Sequence, residues 1–254
     1  MSLHHVAIDD AAWASPWRRL RVEEKTLFSV GLILTALFSP PWPGCILVGI
    51  VALFCMLGPA QIRPRLVLGA LTAPVVFVLI GTLPVALEWH GFDRGMPLRV
   101  THQSLVRSGT LAAHSLSGTL ALVLLATTTP MVDLLGWMRG LRIPDPLLEL
   151  ANLTYRLLFL LLGTTFAIRE AQKARLVDQA SFRRRWQVTA ATMGSVMLTS
   201  WERARRLQEG LEARGYEETL PTLTPHRARS TRFLATTILV LVAIWTANLG
   251  WRLT

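Results

Sequence analysis

The sequence predicts an all-α membrane protein with about five transmembrane helices and a cytoplasmic platform of long helices. Three observations carry that expectation. Of 254 residues, 52% are hydrophobic and 17% charged, with a mean hydropathy of +0.42, whereas an ordinary soluble domain carries about 25% charge. The apolar residues gather in runs of spanning length. The net charge of +10 comes from basic residues beside those runs, as in the cytoplasmic loops of membrane proteins.

Residues 1–25 read as a cytoplasmic N-terminal segment. Met1–Arg21 holds acids, Arg and Trp but no apolar core of signal-peptide length, so it is expected to be retained. The first apolar stretch, Thr26–Leu57, is broken by Ser39-Pro40-Pro41-Trp42-Pro43-Gly44. Prolines at that density end a helix and leave two pieces, Leu27–Phe38 and Cys45–Leu57. Arg18, Arg19, Arg21 and Lys25 precede this stretch and Arg63 and Arg65 follow it. Both flanks belong on the cytoplasmic side, so a hairpin of two short spans is expected. Leu66–Leu87 and Gly109–Thr128 are two further spans, joined by an outer loop of mixed charge; residues 26–128 thus form transmembrane helices 1–4.

Residues 129–232 form the platform. Met131, Leu134, Leu135, Met138 and Leu141 recur at helical spacing and predict a surface helix stopped at Pro144. Leu147–Ile168 is apolar enough to cross, yet it carries Glu149 and Arg156. Crossing would put Arg169–Arg232, with 13 of the 26 basic residues, outside. Pro146–Arg175 is therefore read as a long helix under the bundle, on its cytoplasmic side. Arg183–Arg214 is another, with one apolar face through Trp186, Ala190, Met193, Met197, Trp201, Ala204, Leu207 and Leu211, ended by a left-handed Gly215. The last span is Phe233–Leu249, within a final segment 233–254.

Catalytic and metal signatures are absent from this sequence. It has no phosphate loop, no Gly-x-Ser-x-Gly elbow, and no metal-ligand spacing among His4, His5, His90, His102 and His114. Cys45 and Cys55 lie nearly three turns apart on one helix and cannot bridge. An independent membrane channel or enzyme would have only His114, Ser115 and Ser117 to offer at mid-membrane, and a structural role suits them better. The clusters Arg183–Arg185 and Arg203, Arg205, Arg206 flank an apolar helix face, so lipid rather than nucleic acid is the expected neighbour. Two long helices end alike, in Ala174-Arg175-Leu176 and Ala213-Arg214-Gly215. A cation there complements the helix dipole and can reach a carboxylate.

Several stretches resemble the CbiQ family. They are Ile8-Asp9 with Ser15-Pro16-Trp17-Arg18-Arg19-Leu20 and Lys25, Thr127-Thr128-Thr129-Pro130, Leu153–Leu162 with Thr154-Tyr155-Arg156, and Arg169–Arg175. The resemblance implies a non-catalytic T component of an energy-coupling-factor (ECF) importer in a bacterial cytoplasmic membrane. Such a component joins a substrate-binding CbiM-like membrane subunit, with a small CbiN-like subunit, to two copies of a CbiO-like ATPase. The cargo would be cobalt, with nickel as the alternative. It implies no cofactor on this chain, ATP with Mg residing on the ATPases. Coupling helices in the family end in Ala-Arg-Gly-like motifs that dock on the ATPases; these fall on Ala174, Arg175, Leu176 and Ala213, Arg214, Gly215. Leu176 departs from the motif, and its β-carbon makes a left-handed cap costlier.

Overall fold

Proline, charge and capping residues set the helix ends. The computed structural model describes residues 3–89, 98–99, 101–174, 181–215, 227 and 229–253. In chain order the helices are α1 (Leu3–Ala14), α2 (Val22–Phe38), α3 (Ile46–Leu57), α4 (Pro64–Ala86), α5 (His102–Thr128), α6 (Met131–Met138), α7 (Asp145–Ala174), α8 (Phe182–Glu212) and α9 (Thr231–Leu253). A short 3-10 turn, Pro16–Arg19, links α1 to α2. The strands among the described residues form a two-residue antiparallel ladder, Glu88–Trp89 (β1) with Leu98–Arg99 (β2). The chain is an all-α membrane protein. Four helices, α4, α5, α7 and α9 as far as Gly250, are long and apolar enough to cross a membrane, and Pro41–Leu57 is a shorter apolar stretch.

Contacts divide the chain into two compact units, Met1–Leu134 with Pro225–Thr254, and Leu135–Thr224. In the first, α5 is the central helix and packs on α1, α2, α3 and α4. Phe28, Leu32 and Ala36 of α2, Val48, Ala52 and Met56 of α3, and Ala121 and Leu124 of α5 form its core. The i, i+4 spacing on α2 and α3 puts each trio on one face, and alanines let the backbones approach closely. Trp17, Phe28 and Phe233 close one end, with Trp17 and Phe233 edge to face at 5.1 Å between centroids. The opposite faces are apolar too: Leu34, Phe38, Leu68, Phe77 and Ile80 are all exposed, the inside-out pattern that lipid requires.

The broken first stretch is a hairpin, as the prolines predict. Ser15 Oγ, ahead of α2, donates to Ala60 O, beyond α3, at 3.1 Å; the two basic flanks therefore sit at one end. At the other end the corner from Ser39 to Cys45 is held by neighbours. His114 of α5 bonds Ser39 O (3.2 Å) and Thr110 O (2.7 Å), Asn248 Nδ2 of α9 donates to Ser39 Oγ at 2.8 Å, and Trp245 Nε1 donates to Thr35 Oγ1 at 3.2 Å. The His114 bonds satisfy backbone carbonyls and the other two pair side chains, all away from water, and His114 has the structural role its isolation in the sequence suggests.

Three element boundaries differ from the sequence reading. The fourth span begins at His102 rather than Gly109, because Thr101 and Ser104 form a reciprocal capping box. The surface helix ends at Met138 and tightens into a 3-10 turn over Arg139–Leu141, with Arg142 left-handed at φ 60°, before Pro144 is reached. The N-terminal segment contains α1, which packs on α4 and α5; its mixed composition has no clean apolar period to announce it.

Gly44 supplies the test of the corner. A Cβ there would lie 2.5 Å from Ser39 Cβ and 2.7 Å from Asn248 Oδ1. Gly44→Ala is expected to destabilise the detergent-solubilised protein by about 1–3 kcal/mol, the cost of overpacking, read by denaturant unfolding. The same change at Gly118, inside α5 where nothing lies within 4 Å, should not destabilise and should add up to about 1 kcal/mol through helix propensity.

Candidate functional site

At the rim where α2 begins, residues Arg21 to Lys25 meet the ends of three other elements. Lys25 has no solvent exposure, and its ammonium donates to Thr128 O at 2.9 Å. Thr128 is the last residue of α5, whose terminal carbonyls lack helical partners and carry the negative end of the dipole. Beyond it Asp133, in the first turn of α6, accepts from Arg227 Nη2 at 2.7 Å. Arg227 is anchored in turn by its own carbonyl, which accepts from Arg21 Nε at 2.6 Å. Glu24 Oε1 accepts from the backbone N–H of Ser230, just ahead of α9, at 2.8 Å. Ser230 Oγ accepts from Phe233 N at 3.3 Å and caps that helix.

The result is one buried ionic clamp joining α2, the end of α5, the start of α6 and the start of α9. Lys25 lies just before the apolar run that starts at Thr26, outside the spanning segment. Burial drives its pKa down to about 8, Arg227 adds to the fall, and Asp133 opposes it. The sequence reading used Arg21 and Lys25 as topology markers, and Lys25 also as part of the family resemblance. Their role as a clamp depends on Asp133 and Arg227, more than 100 positions downstream of Lys25, and no local spacing reveals it.

The second unit contains α7 and α8, which touch where Gln172 Nε2 donates to Thr192 Oγ1. Val188, Thr192 and Val196 of α8 are partly covered. The predicted apolar face lies beside these; its last two members, Leu207 and Leu211, are partly covered, and most of the rest is open: Trp186 is 69% exposed, Met193 72%, Met197 76% and Trp201 74%. Near its end the helix neutralises its own charges. Arg206 pairs with Glu202 at 3.2 Å and Arg205 with Glu209 at 2.9 Å, both one turn apart, and Gln208 bonds Glu212 at 2.9 Å.

Of the six residues expected to dock, Ala174 is the exposed last residue of α7, while Arg175 and Leu176 lie outside the described residues. The other three are well placed for contact. Ala213 caps α8, Gly215 follows at φ +70°, and Ala213, Arg214 and Gly215 are all exposed. Gly215 N bonds back to Glu212 O at 3.0 Å, so the left-handed end anticipated from the glycine is present. Arg214 makes no side-chain hydrogen bond or ion pair with a described residue. Among the described residues no group of His, Cys, Asp and Glu is arranged as metal ligands.

Comparison with known proteins gives one family. A family model described as "CbiQ: Cobalt transport protein" matches residues 14–225. The chain is 32% identical over 244 residues to the cobalt transport protein CbiQ of Rhodobacter capsulatus, covering 95% of this chain and 97% of that one. It is 26% identical over 219 residues to a putative fused cobalt transport protein CbiMQ of Methanocorpusculum labreanum, covering 83% of this chain and 36% of the fusion. An uncharacterized protein of Methanocaldococcus jannaschii is 23% identical over 221 residues, covering 85% of this chain and 82% of that one.

The clamp has a pH signature. Because folding lowers the Lys25 pKa to about 8 from 10.5, the unfolded chain holds the extra proton between those values, and stability rises as pH climbs through that window. Lys25→Met should remove that rise. Asp133→Asn leaves two buried cations without their carboxylate and should cost about 3 kcal/mol near neutral pH, with the pH-dependent rise starting lower. Denaturant unfolding in detergent across the alkaline range checks both.

Proposed function

The chain belongs to the CbiQ cobalt transport protein family, and from that premise we propose that it is the transmembrane T component of an ECF importer that carries cobalt. In this reading the chain binds no cofactor. ATP and Mg act on two CbiO-like ATPase subunits, and the metal passes through a CbiM-like membrane subunit accompanied by a small CbiN-like one. The fusion named CbiMQ in the Methanocorpusculum relative supports a CbiM-like neighbour, since one chain there carries both names.

The observation that carries the coupling role is the end of α8. A helix of 31 residues extends about 46 Å and transmits displacement that a loop would absorb. Near its tip Arg205 and Arg206 are held by their own carboxylates, whereas the exposed Arg214 makes no ion pair or side-chain hydrogen bond with a described residue. Its guanidinium is thus available for a carboxylate on an ATPase, with Gly215 turning the chain sharply out of the way. Ala174, Arg175 and Leu176 form the second docking end. When ATP closes the ATPase pair, both helix ends follow their docking sites. The exposed row from Trp186 to Trp201 bears on the substrate-binding subunit.

Residues 129–232 are then a cytoplasmic platform between helices 26–128 and the final span in 233–254, and α7 lies on the cytoplasmic side although its length and composition suit crossing. Arg229 and Arg232, immediately before or at the start of α9, support that side.

Arg214→Ala should weaken ATPase retention by about 1.5–3 kcal/mol, the worth of a hydrogen bond to a charged group, and Arg214→Glu should weaken it further. Both are scored by co-purification of the ATPase and by metal uptake in the full complex; wild-type behaviour of both variants sinks the docking assignment. Cysteines placed at Arg184 and Arg205, in a background lacking Cys45 and Cys55, should resist an impermeant thiol reagent in intact cells. Their labelling from outside would make α7 a span.

A further inference from the structure

Beside the clamp, where the chain passes from α1 into α2, lies a cleft of about 870 Å³ lined by Trp13, Ser15, Pro16, Arg18, Arg19 and Arg227. Its charge is unbalanced. Arg227 is paired with Asp133, and Asp9, one helical turn before Trp13, accepts from Trp13 Nε1 at 3.2 Å. Arg18 and Arg19 have no carboxylate within ion-pair distance among the described residues. The Arg18 guanidinium stacks on the Trp13 ring, 4.1 Å from its centroid. That contact orients the fork while leaving its N–H donors free. Ser15 is already engaged, donating to Ala60 O and accepting from Trp17 N, so the arginines are the donors the cleft offers.

The place of the cleft says what it meets. Its lining residues precede the apolar run at Thr26 by about two to three turns of chain, and the side chains that follow on the outer face of α2, Leu27, Val30 and Leu34, are exposed and lipid-facing. The cleft therefore lies at headgroup depth on the bundle rim. Trp13, 40% exposed, is the residue type that settles at this boundary. Two guanidinium forks match the oxygens of a phosphate better than any other common anion at that depth.

We propose that this cleft binds the phosphodiester headgroup of an anionic membrane phospholipid, with Arg18 and Arg19 as the phosphate donors and Trp13 as the wall that orients Arg18. The site is separate from the docking ends of α7 and α8 and does not depend on the identity of the transported metal. Its chemistry would also suit a free phosphate, and the membrane is its source in this assignment.

The test uses the purified full chain in micelles doped with phosphatidylglycerol or phosphatidylcholine, with retained lipid counted by native mass spectrometry. The wild type should retain phosphatidylglycerol preferentially, and each arginine removed should cost about fivefold, as expected of one cation at an anionic surface. Arg19→Gln, which spares the Trp13 stack, is the first variant, and Arg18→Gln/Arg19→Gln should bring the preference close to parity. A second arm adds millimolar inorganic phosphate, which should leave the retained phosphatidylglycerol in place. The proposal is overturned by equal retention of the two lipids by the wild type, or by an unchanged preference in Arg19→Gln. Displacement of the lipid by inorganic phosphate overturns the membrane source in favour of a soluble one.

Discussion

Taking a charge out of water is expensive unless partners surround it, and one rim of the first unit is arranged around that requirement. Lys25 reaches the terminal carbonyl of α5, Asp133 and Arg227 pair beside it, and Glu24 accepts from the N–H of Ser230 just ahead of α9. Each partner comes from a different helix end. The clamp is therefore satisfied only when α2, α5, α6 and α9 are in register together, which makes electrostatics a specifier of arrangement, while the lowered Lys25 pKa shows that its charge is held at a cost in stability. The oily core above the rim could tolerate small slips of one helix against another; an unpaired buried cation could not.

Unit 1 and unit 2 treat polarity in opposite ways. In the first, polar groups such as His114, Asn248, Thr35 and Ser39 are spent on each other and on backbone at the proline-rich corner, and the outer faces are left apolar. In the second, α8 leaves large apolar side chains open and pairs Arg205 and Arg206 with carboxylates one turn away. The first pattern suits a body surrounded by lipid. The second suits a helix that presents a greasy side to one neighbour and a single arginine tip to another.

Sequence made the helices legible because lipid imposes long apolar periods, and the left-handed end at Gly215 followed from the one residue type that adopts it without strain. The hairpin of short spans was readable from prolines and flanking charge. The clamp was hidden because its members are distant in sequence and each has an ordinary local role: Glu24 as an acid in a first turn, Lys25 as a topology marker, Asp133 as a surface charge. The open row on α8 was half legible. Period gave the apolar face, but which neighbouring face would meet α7 depended on the smaller Val and Thr side chains at 188, 192 and 196, which carry a weaker signal than Trp and Met.

The registers within unit 1 have a mechanical consequence for the surrounding bilayer. Fourteen residues separate Lys25 from Ser39, and the same number separates Thr128 from His114, to which those two residues bond. That is about 21 Å of helix, while α5 runs on for a further 12 residues to His102. A hydrocarbon core of about 30 Å cannot be matched by the short hairpin and the long helix at once. On the hairpin side, where Phe38 and Trp42 are exposed, a mismatch of this kind is met by a thinner bilayer, by snorkelling flanks or by a covering subunit. A neighbouring subunit with a similarly short flank, settled against the hairpin, would remove that cost.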